Sequence, residues 1–172
     1  MALKEIDVKQ LQMNPMTLIA KEWMLVTAGN EEYGYNTMTA SWGHLGSIWG
    51  HGGGLPTSVV YIRPQRYTKE FVDASERFSL SVLPDSYRKE LTYLGRVSGR
   101  DEDKIAKTGL KVAYENNVPY FEESKYVLIC RKLYAQDLKG ECFIDKSLDP
   151  KNYPTQDYHT MYVAEIEEVL EA

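Results

Sequence analysis

The sequence predicts a single, mainly β domain with helices inserted in its middle, and three observations carry that expectation. Segments of strand character recur along the chain, at residues 23–28, 36 onward, 57–63, 77–83, 126–138 and 160–170. Helical patterns are confined to the stretch between residues 67 and 109, apart from a short one near the start. Thirteen tyrosines in 172 residues are many, and aromatic side chains favour strands and interfaces. Strands outside and helices inside suit a β-barrel with helical elaborations.

The elements follow in order. Residues 7–21 read as a short amphipathic helix broken at Asn14-Pro15. Residues 23–28 (W-M-L-V-T-A) form a continuous apolar run of strand length, closed by Gly29-Asn30 as a turn. The first half of residues 36–49 alternates as a strand does. The run His51-Gly52-Gly53-Gly54 is a loop, and residues 57–63 (T-S-V-V-Y-I-R) a strand stopped by Pro64. A helix over 67–76 takes Thr68 as its N-cap. Residues 77–83 alternate Phe78, Leu80 and Val82 against Ser79 and Ser81, a half-buried strand. Ser86 caps a second helix, in which Tyr87, Leu91 and Leu94 share a face. Asp101 starts a third, ending near Gly109. Asn116-Asn117 is a turn. Residues 126–138 are the longest strand, with Val127, Ile129 and Leu133 on one side and Tyr126, Leu128, Cys130 and Tyr134 on the other. Residues 146–157 are loop, and 160–170 close the chain as a strand.

Composition bounds the function. A chain of this length fits one domain, residues 1–172, and a domain of about 150 residues buries roughly 70% of its unfolded surface. Acidic residues outnumber basic ones by 25 to 20. That disfavours nucleic-acid or anionic-membrane binding, because phosphate-backbone affinity comes mostly from Lys and Arg. No segment approaches the 18 or so apolar residues of a membrane span. The start of the sequence lacks a signal-peptide run, and Cys130 and Cys142 form no C-x-x-C pair. Both features point to a reducing, cytoplasmic setting with free thiols. His44, His51 and His159 show no ligand spacing, so no metal is expected. Neither a nucleophile elbow nor a dinucleotide fingerprint is present.

The stretch that carries chemistry is residues 36–49. Asn36, Thr37, Thr39 and Ser41 supply small polar groups, and Ala40 and Gly43 leave the main chain approachable. Such a surface suits a flat, hydrogen-bonding ring better than a phosphate or a metal. The plainer alternative is a Thr/Ser-rich strand ending in a Gly turn, with Trp42 and Trp49 simply buried. Downstream, Arg63 and Arg66 lead directly into a helix, whose N-terminus offers unpaired N–H donors and partial positive charge. Ser98-Gly99-Arg100 feeds the next helix, and Lys104 follows in it. Two such loops beside a neutral platform describe a site for an aromatic ring carrying a phosphate. Asp157-Tyr158-His159 reads either as the polar end of a loop or as a hydrogen-bonding group near a reaction centre.

Five motifs occur in order: N-T-M-T-A-S-W-G, V-Y-I-R-P-Q-R-Y-T, S-G-R-D-x-D-K, C-R-K-L-Y-A-Q and D-Y-H-x-M-Y. On these the chain resembles the flavin reductase-like family with the FMN-binding split β-barrel, and more narrowly its flavoredoxin branch. The resemblance covers roughly residues 23–168. It implies that Asn36, Thr37, Met38, Thr39, Ala40, Ser41 and Trp42 hold the isoalloxazine edge of FMN. It implies Arg63, Arg66, Tyr67 and Thr68 along the ribityl phosphate, with Ser98, Gly99, Arg100 and Lys104 helping. His159 would stand near the open flavin face, on the nicotinamide side. The resemblance further implies a homodimer and hydride supplied by NADH or NADPH. The alternative is an electron carrier exchanging electrons with a protein donor or acceptor, without a nicotinamide site. The glycine-rich loop from His51 to Pro56 is longer than in simple reductases of the family.

Overall fold

The computed structural model describes residues 3–172. Ten strands are present among them: β1 (Lys4–Ile6), β2 (Met24–Asn30), β3 (Gly34–Ala40), β4 (Gly43–Ile48), β5 (Leu55–Ile62), β6 (Arg77–Val82), β7 (Val112–Glu115), β8 (Val118–Phe121), β9 (Tyr126–Asp137) and β10 (Thr160–Glu171). The helices are α1 (Pro15–Thr17), α2 (Tyr67–Ala74), α3 (Arg88–Arg96), α4 (Lys104–Thr108) and α5 (Leu148–Asn152). The main sheet is antiparallel, in the order β3-β2-β6-β9-β10-β5-β4, with β1 added alongside β10.

That order forces the sheet to curl. β3 and β4 stand at opposite ends of a seven-strand path, which laid flat would separate them by roughly 29 Å at the usual strand spacing. Yet only Ser41 and Trp42 join Ala40 to Gly43, and three Cα steps span at most about 11 Å. The sheet therefore wraps into a barrel whose ends approach without pairing, split at a seam between β3 and β4. The wall encloses an apolar core from both ends of the sheet, including Met38 of β3, Leu80 of β6, Leu128 of β9 and Tyr162 of β10, with Leu45 of β4 packed against it. A second cluster, Leu25, Leu91, Leu94 and Ile105 among others, fixes α3 and α4 to the outside of β2 and β3. Among the described residues no helix is long and apolar enough to cross a membrane, and no cluster of His, Cys, Asp and Glu could hold a metal.

Several elements differ from expectation for identifiable reasons. Gly43 opens a full strand instead of ending one. A Cβ there would meet the Val59 carbonyl oxygen at 2.6 Å, so the glycine permits close pairing with β5. Both asparagines at 116–117 have positive φ, 49° and 63°, the backbone of a two-residue hairpin turn, and they join β7 to β8. That hairpin covers β6, so Ser79 and Ser81 are fully buried instead of facing solvent. The Ser79 hydroxyl donates to the Pro119 carbonyl at 2.5 Å. The alternation expected along β9 holds through Cys130, after which Leu133 is only half-buried and Tyr134 exposed. The N-terminal segment splits into a 3₁₀ turn (Val8–Gln10), α1 and a π turn (Leu18–Glu22), with Asn14 capping α1 through Met16 N–H at 3.1 Å. Residues 146–157 contain the short helix α5.

The helix starts differ from expectation as well. Arg66, not Thr68, is the N-cap of α2. Ser86 lies in a 3₁₀ turn (Asp85–Tyr87) ahead of α3, whose N-cap is Tyr87. Asp103, not Asp101, caps α4, its carboxylate accepting from Ala106 N–H at 3.0 Å. α4 does end at Gly109, which adopts the left-handed conformation at φ 71°.

Candidate functional site

The seam of the barrel carries two hollows that share walls. The first is a groove of about 250 Å³ lined by Met38 to Trp42 from the end of β3, by Tyr61, Arg63 and Arg66 from the end of β5 and the start of α2, and by His159. β3 is the terminal strand of its sheet, so the outer edge of its backbone has no strand partner among the described residues. That edge leaves N–H and C=O groups available beside Met38 and Ala40, which face the barrel interior.

Strand alternation divides the expected ring-binding residues. Asn36, Met38 and Ala40 point inward, toward the site and core. Thr37 points to the other face and is fully buried, its hydroxyl 2.9 Å from that of Thr27 and 3.2 Å from the Val26 carbonyl. Thr37 lines neither hollow. Its side chain therefore departs from the expectation, because a strand shows only alternate residues to one side. Thr39 borders the groove, but its hydroxyl donates to the Leu91 carbonyl at 2.5 Å and ties β3 to α3. Trp42 is not buried. Its indole is 46% exposed, with its centroid 5.0 Å from that of His159.

The second hollow, about 170 Å³, is cationic. It is formed where the start of α2 meets the loop from α3 to α4, and Arg66, Arg96 and Lys104 line it together with Thr68, Ser98 and Gly99. Asn36 and Thr68 are buried and joined, the Asn36 amide donating to the Thr68 hydroxyl at 2.9 Å. A Cβ on Gly99 would stand 2.4 Å from Asn36 Oδ1 and 3.2 Å from the Tyr67 ring, so this cradle needs glycine. Ser98 Oγ accepts from Arg100 N–H at 3.2 Å. Arg66 donates one bond to the Gly95 carbonyl at 2.8 Å. Lys104 is buried, donating to the carbonyls of Leu94 and Val97 at 2.8 and 2.9 Å. An ammonium has three donors, so one is left over. Burial, aided by the charge of Arg66, pushes its pKa down to about 8.

Two expected phosphate ligands are engaged elsewhere. Arg63 lines both hollows, yet it donates to Asp157 Oδ2 at 2.5 Å and to the Asn152 carbonyl at 2.9 Å, and lies 5.1 Å over the Tyr153 ring. It acts as a brace between β5 and the 149–159 segment. Arg100 stacks on Tyr67 at 4.6 Å and pairs with Glu70, and it does not line the hollow. Tyr67 lines it and packs edge-on against Phe71.

His159 is buried, with Nδ1 2.8 Å from the Tyr153 hydroxyl. Burial first, then the charge of Arg63, lowers its pKa to about 4, so the ring is neutral at pH 7. Asp157, held by the Gln65 amide at 2.9 Å and by Arg63, has its carboxyl lowered to about 2. Tyr61, Gln65, Arg96, Tyr153 and Asp157 were missed from the sequence. Tyr61, Gln65 and Asp157 carry a signal, as members of the motifs V-Y-I-R-P-Q-R-Y-T and D-Y-H-x-M-Y, whereas Arg96 and Tyr153 lie outside every motif.

The donor set fits a phosphorylated flavin: spare Arg66 and Lys104 donors around a glycine cradle, joined to a groove whose wall from Met38 to Trp42 is uncharged and has an open strand edge. A search of the curated proteins finds no match. Among solved structures the chain is similar to an FMN-binding domain of a flavin reductases-like enzyme from Shewanella baltica OS155, with a TM-score of 0.68 at 15% identity, covering 98% of this chain and 76% of that one. It is similar to flavoredoxin from Methanosarcina acetivorans, with a TM-score of 0.65 at 21% identity over 98% and 76%. It is also similar to an NADH:FAD oxidoreductase from Streptomyces globisporus C-1027, with a TM-score of 0.65 at 15% identity over 88% and 75%. At these identities the structures establish the fold. The family model for the flavin reductase like domain matches residues 16–172, and the chain belongs to that family.

Proposed function

We propose that the chain binds FMN across the two hollows and works as an oxidoreductase, taking hydride from NADH or NADPH and passing electrons to an acceptor. The observation that carries this reading is the continuity of a cationic hollow with a groove whose β3 wall is uncharged, through Met38, Arg63 and Arg66, which line both. The flavin, when bound, supplies the hydride and electron chemistry. The protein's part is to bind, orient and shield. Arg66, Lys104, Ser98 and the backbone beside Gly99 would hold the phosphate, and the open edge of β3 from Met38 to Trp42 the ring. Arg63 holds the 149–159 segment so that His159 stays against the groove, with Tyr153 bonded to it. A neutral His159 offers a hydrogen-bonding group without adding charge to the ring face.

Apolar side chains near the open edge of β4, Ile48, Trp49 and Tyr134, are exposed, and Trp49 meets Tyr134 at 6.3 Å between ring centroids. We assign this face to a homodimer contact, checked by sedimentation. For the redox reading, the purified protein is reconstituted with FMN and mixed anaerobically with NADH or NADPH while the flavin band is followed. Rapid bleaching supports the reductase. Bleaching only after addition of a reduced carrier protein supports a flavoredoxin-like electron carrier, and failure to retain FMN refutes both.

A further inference from the structure

Beyond Trp42, on the side away from the cationic hollow, lies a third and larger cavity of about 600 Å³. Met16 and Ile19 from the α1 region, Trp42, Leu45, Tyr61 and Leu138 form much of its wall. Ser41, Trp42 and Tyr61 belong to this wall and to that of the groove, so the two spaces abut. The volume is in the range of small-molecule sites, about 300–1,000 Å³, and such sites are mostly apolar with a few polar groups. Here the polar groups are few: the exposed Ser41 and His44; Tyr61, against which the His44 ring stands edge-on at 5.8 Å; and Tyr153, whose hydroxyl is engaged by His159 Nδ1 at 2.8 Å. Neither lysine nor arginine lines it among the described residues. A dinucleotide would bring a pyrophosphate and find no cation there, whereas a neutral ring would lose only water.

We propose that this cavity is a second ligand site, for a flat, uncharged aromatic molecule of about naphthalene size, seated beside the groove with Trp42 as the shared wall. Its place opposite a flavin rests on the FMN reading above; its preference for a neutral ring rests on the cavity alone. Trp42 supplies a large, half-exposed aromatic face, and stacking on such faces tolerates many ring systems.

The test uses the full chain reconstituted with FMN and 2-naphthol as probe, by equilibrium dialysis, with naphthalene-2-sulfonate as the same ring carrying a fixed charge. One 2-naphthol per chain is expected, bound at least tenfold more tightly than the sulfonate. Ala20, exposed on the π turn and lining the cavity, is the position to fill. Ala20→Phe is expected to weaken 2-naphthol at least tenfold while FMN affinity stays unchanged. Unsaturable binding, equal binding of the sulfonate, or an unaffected Ala20→Phe variant would overturn the proposal. So would a dimer that Ala20→Phe splits, since a second copy would then be the occupant. FMN is titrated on the same samples: naphthol binding without FMN binding refutes the flavin reading alone, and the converse refutes the cavity alone.

Discussion

Raising the pH from 7 to 9 is expected to weaken FMN binding about tenfold and to leave riboflavin binding unchanged. The lever is Lys104, whose pKa stands at about 8 in the free protein because its ammonium is buried beside Arg66. Its protonated fraction is about 0.9 at pH 7 and about 0.1 at pH 9. The FMN phosphate, with a second pKa near 6, is a dianion at both values. If the phosphate draws on the spare Lys104 donor, only the protonated protein binds it well, and the ratio of those fractions costs about 1.4 kcal/mol. Quenching of flavin fluorescence gives both affinities, and a calorimeter in two buffers detects the proton taken up at pH 8–9. Lys104→Met should abolish the pH dependence. It should also cost stability, because two carbonyls at the end of α3 lose their donor at about 1–3 kcal/mol each. The stability linkage has a definite sign. The unfolded chain holds its Lys104 proton up to pH 10.5, so between about 8 and 10.5 it binds more protons than the native state, and this group's contribution makes the protein more stable as pH rises. Equal weakening of FMN and riboflavin, or a flat FMN profile, would refute the assignment of Lys104 to the phosphate.

Other outcomes separate the remaining residues. Arg66→Ala should weaken FMN at least tenfold more than riboflavin, whereas Arg63→Ala should weaken both alike, because it frees the 149–159 segment; paired titrations decide. Gly99→Ala should weaken FMN about tenfold through displacement of Asn36, and a normal far-ultraviolet spectrum would exclude misfolding. His159→Ala should keep its colour yet bleach more slowly with nicotinamide; since its pKa is about 4, the parent rate should not follow a titration near pH 6.5. Ellman's reagent should find one reactive thiol in the native protein and two in denaturant. Cys142 is exposed, whereas Cys130 is fully buried, accepts from Ser58 Oγ at 3.4 Å and has its thiol pushed up to about 12.

The barrel was legible where local pattern and final environment agree. β2, β5, β6 and β10 are apolar at alternate or successive positions because they are central, and their sequences read as strands unaided. β4 was not legible: as an edge strand it exposes His44, Gly46, Ser47 and Ile48, so burial imposed no pattern on it. The cap positions failed for a different reason. Thr68 has the chemistry of an N-cap, but its hydroxyl is claimed by Asn36 from 32 residues away, a partner that no local rule can supply. Arg63 is the same lesson in charge: its neighbours in sequence suggest phosphate, while Asp157, 94 residues on, takes the guanidinium first.

The stretch from Asn36 to Trp42 shows where composition misleads and periodicity would have corrected it. By composition alone its hydroxyls read as one polar surface. Within a strand, however, Thr37 and Thr39 share a side, and the residues between them, Met38 and Ala40, share the other with Asn36. The apolar set faces the barrel interior, so the threonines must face the helices, where Thr37 pairs with Thr27 and Thr39 with Leu91. What remains for a ring is then mostly backbone, on an edge left open because the sheet ends there. A groove built on backbone depends little on which side chains alternate beside it. Thr37→Val should therefore lower stability, by leaving Thr27 with one fewer partner, and leave riboflavin affinity intact. A loss of riboflavin affinity in a variant that still melts cooperatively would restore the hydroxyl to the site and count against the open edge as the ring's holder.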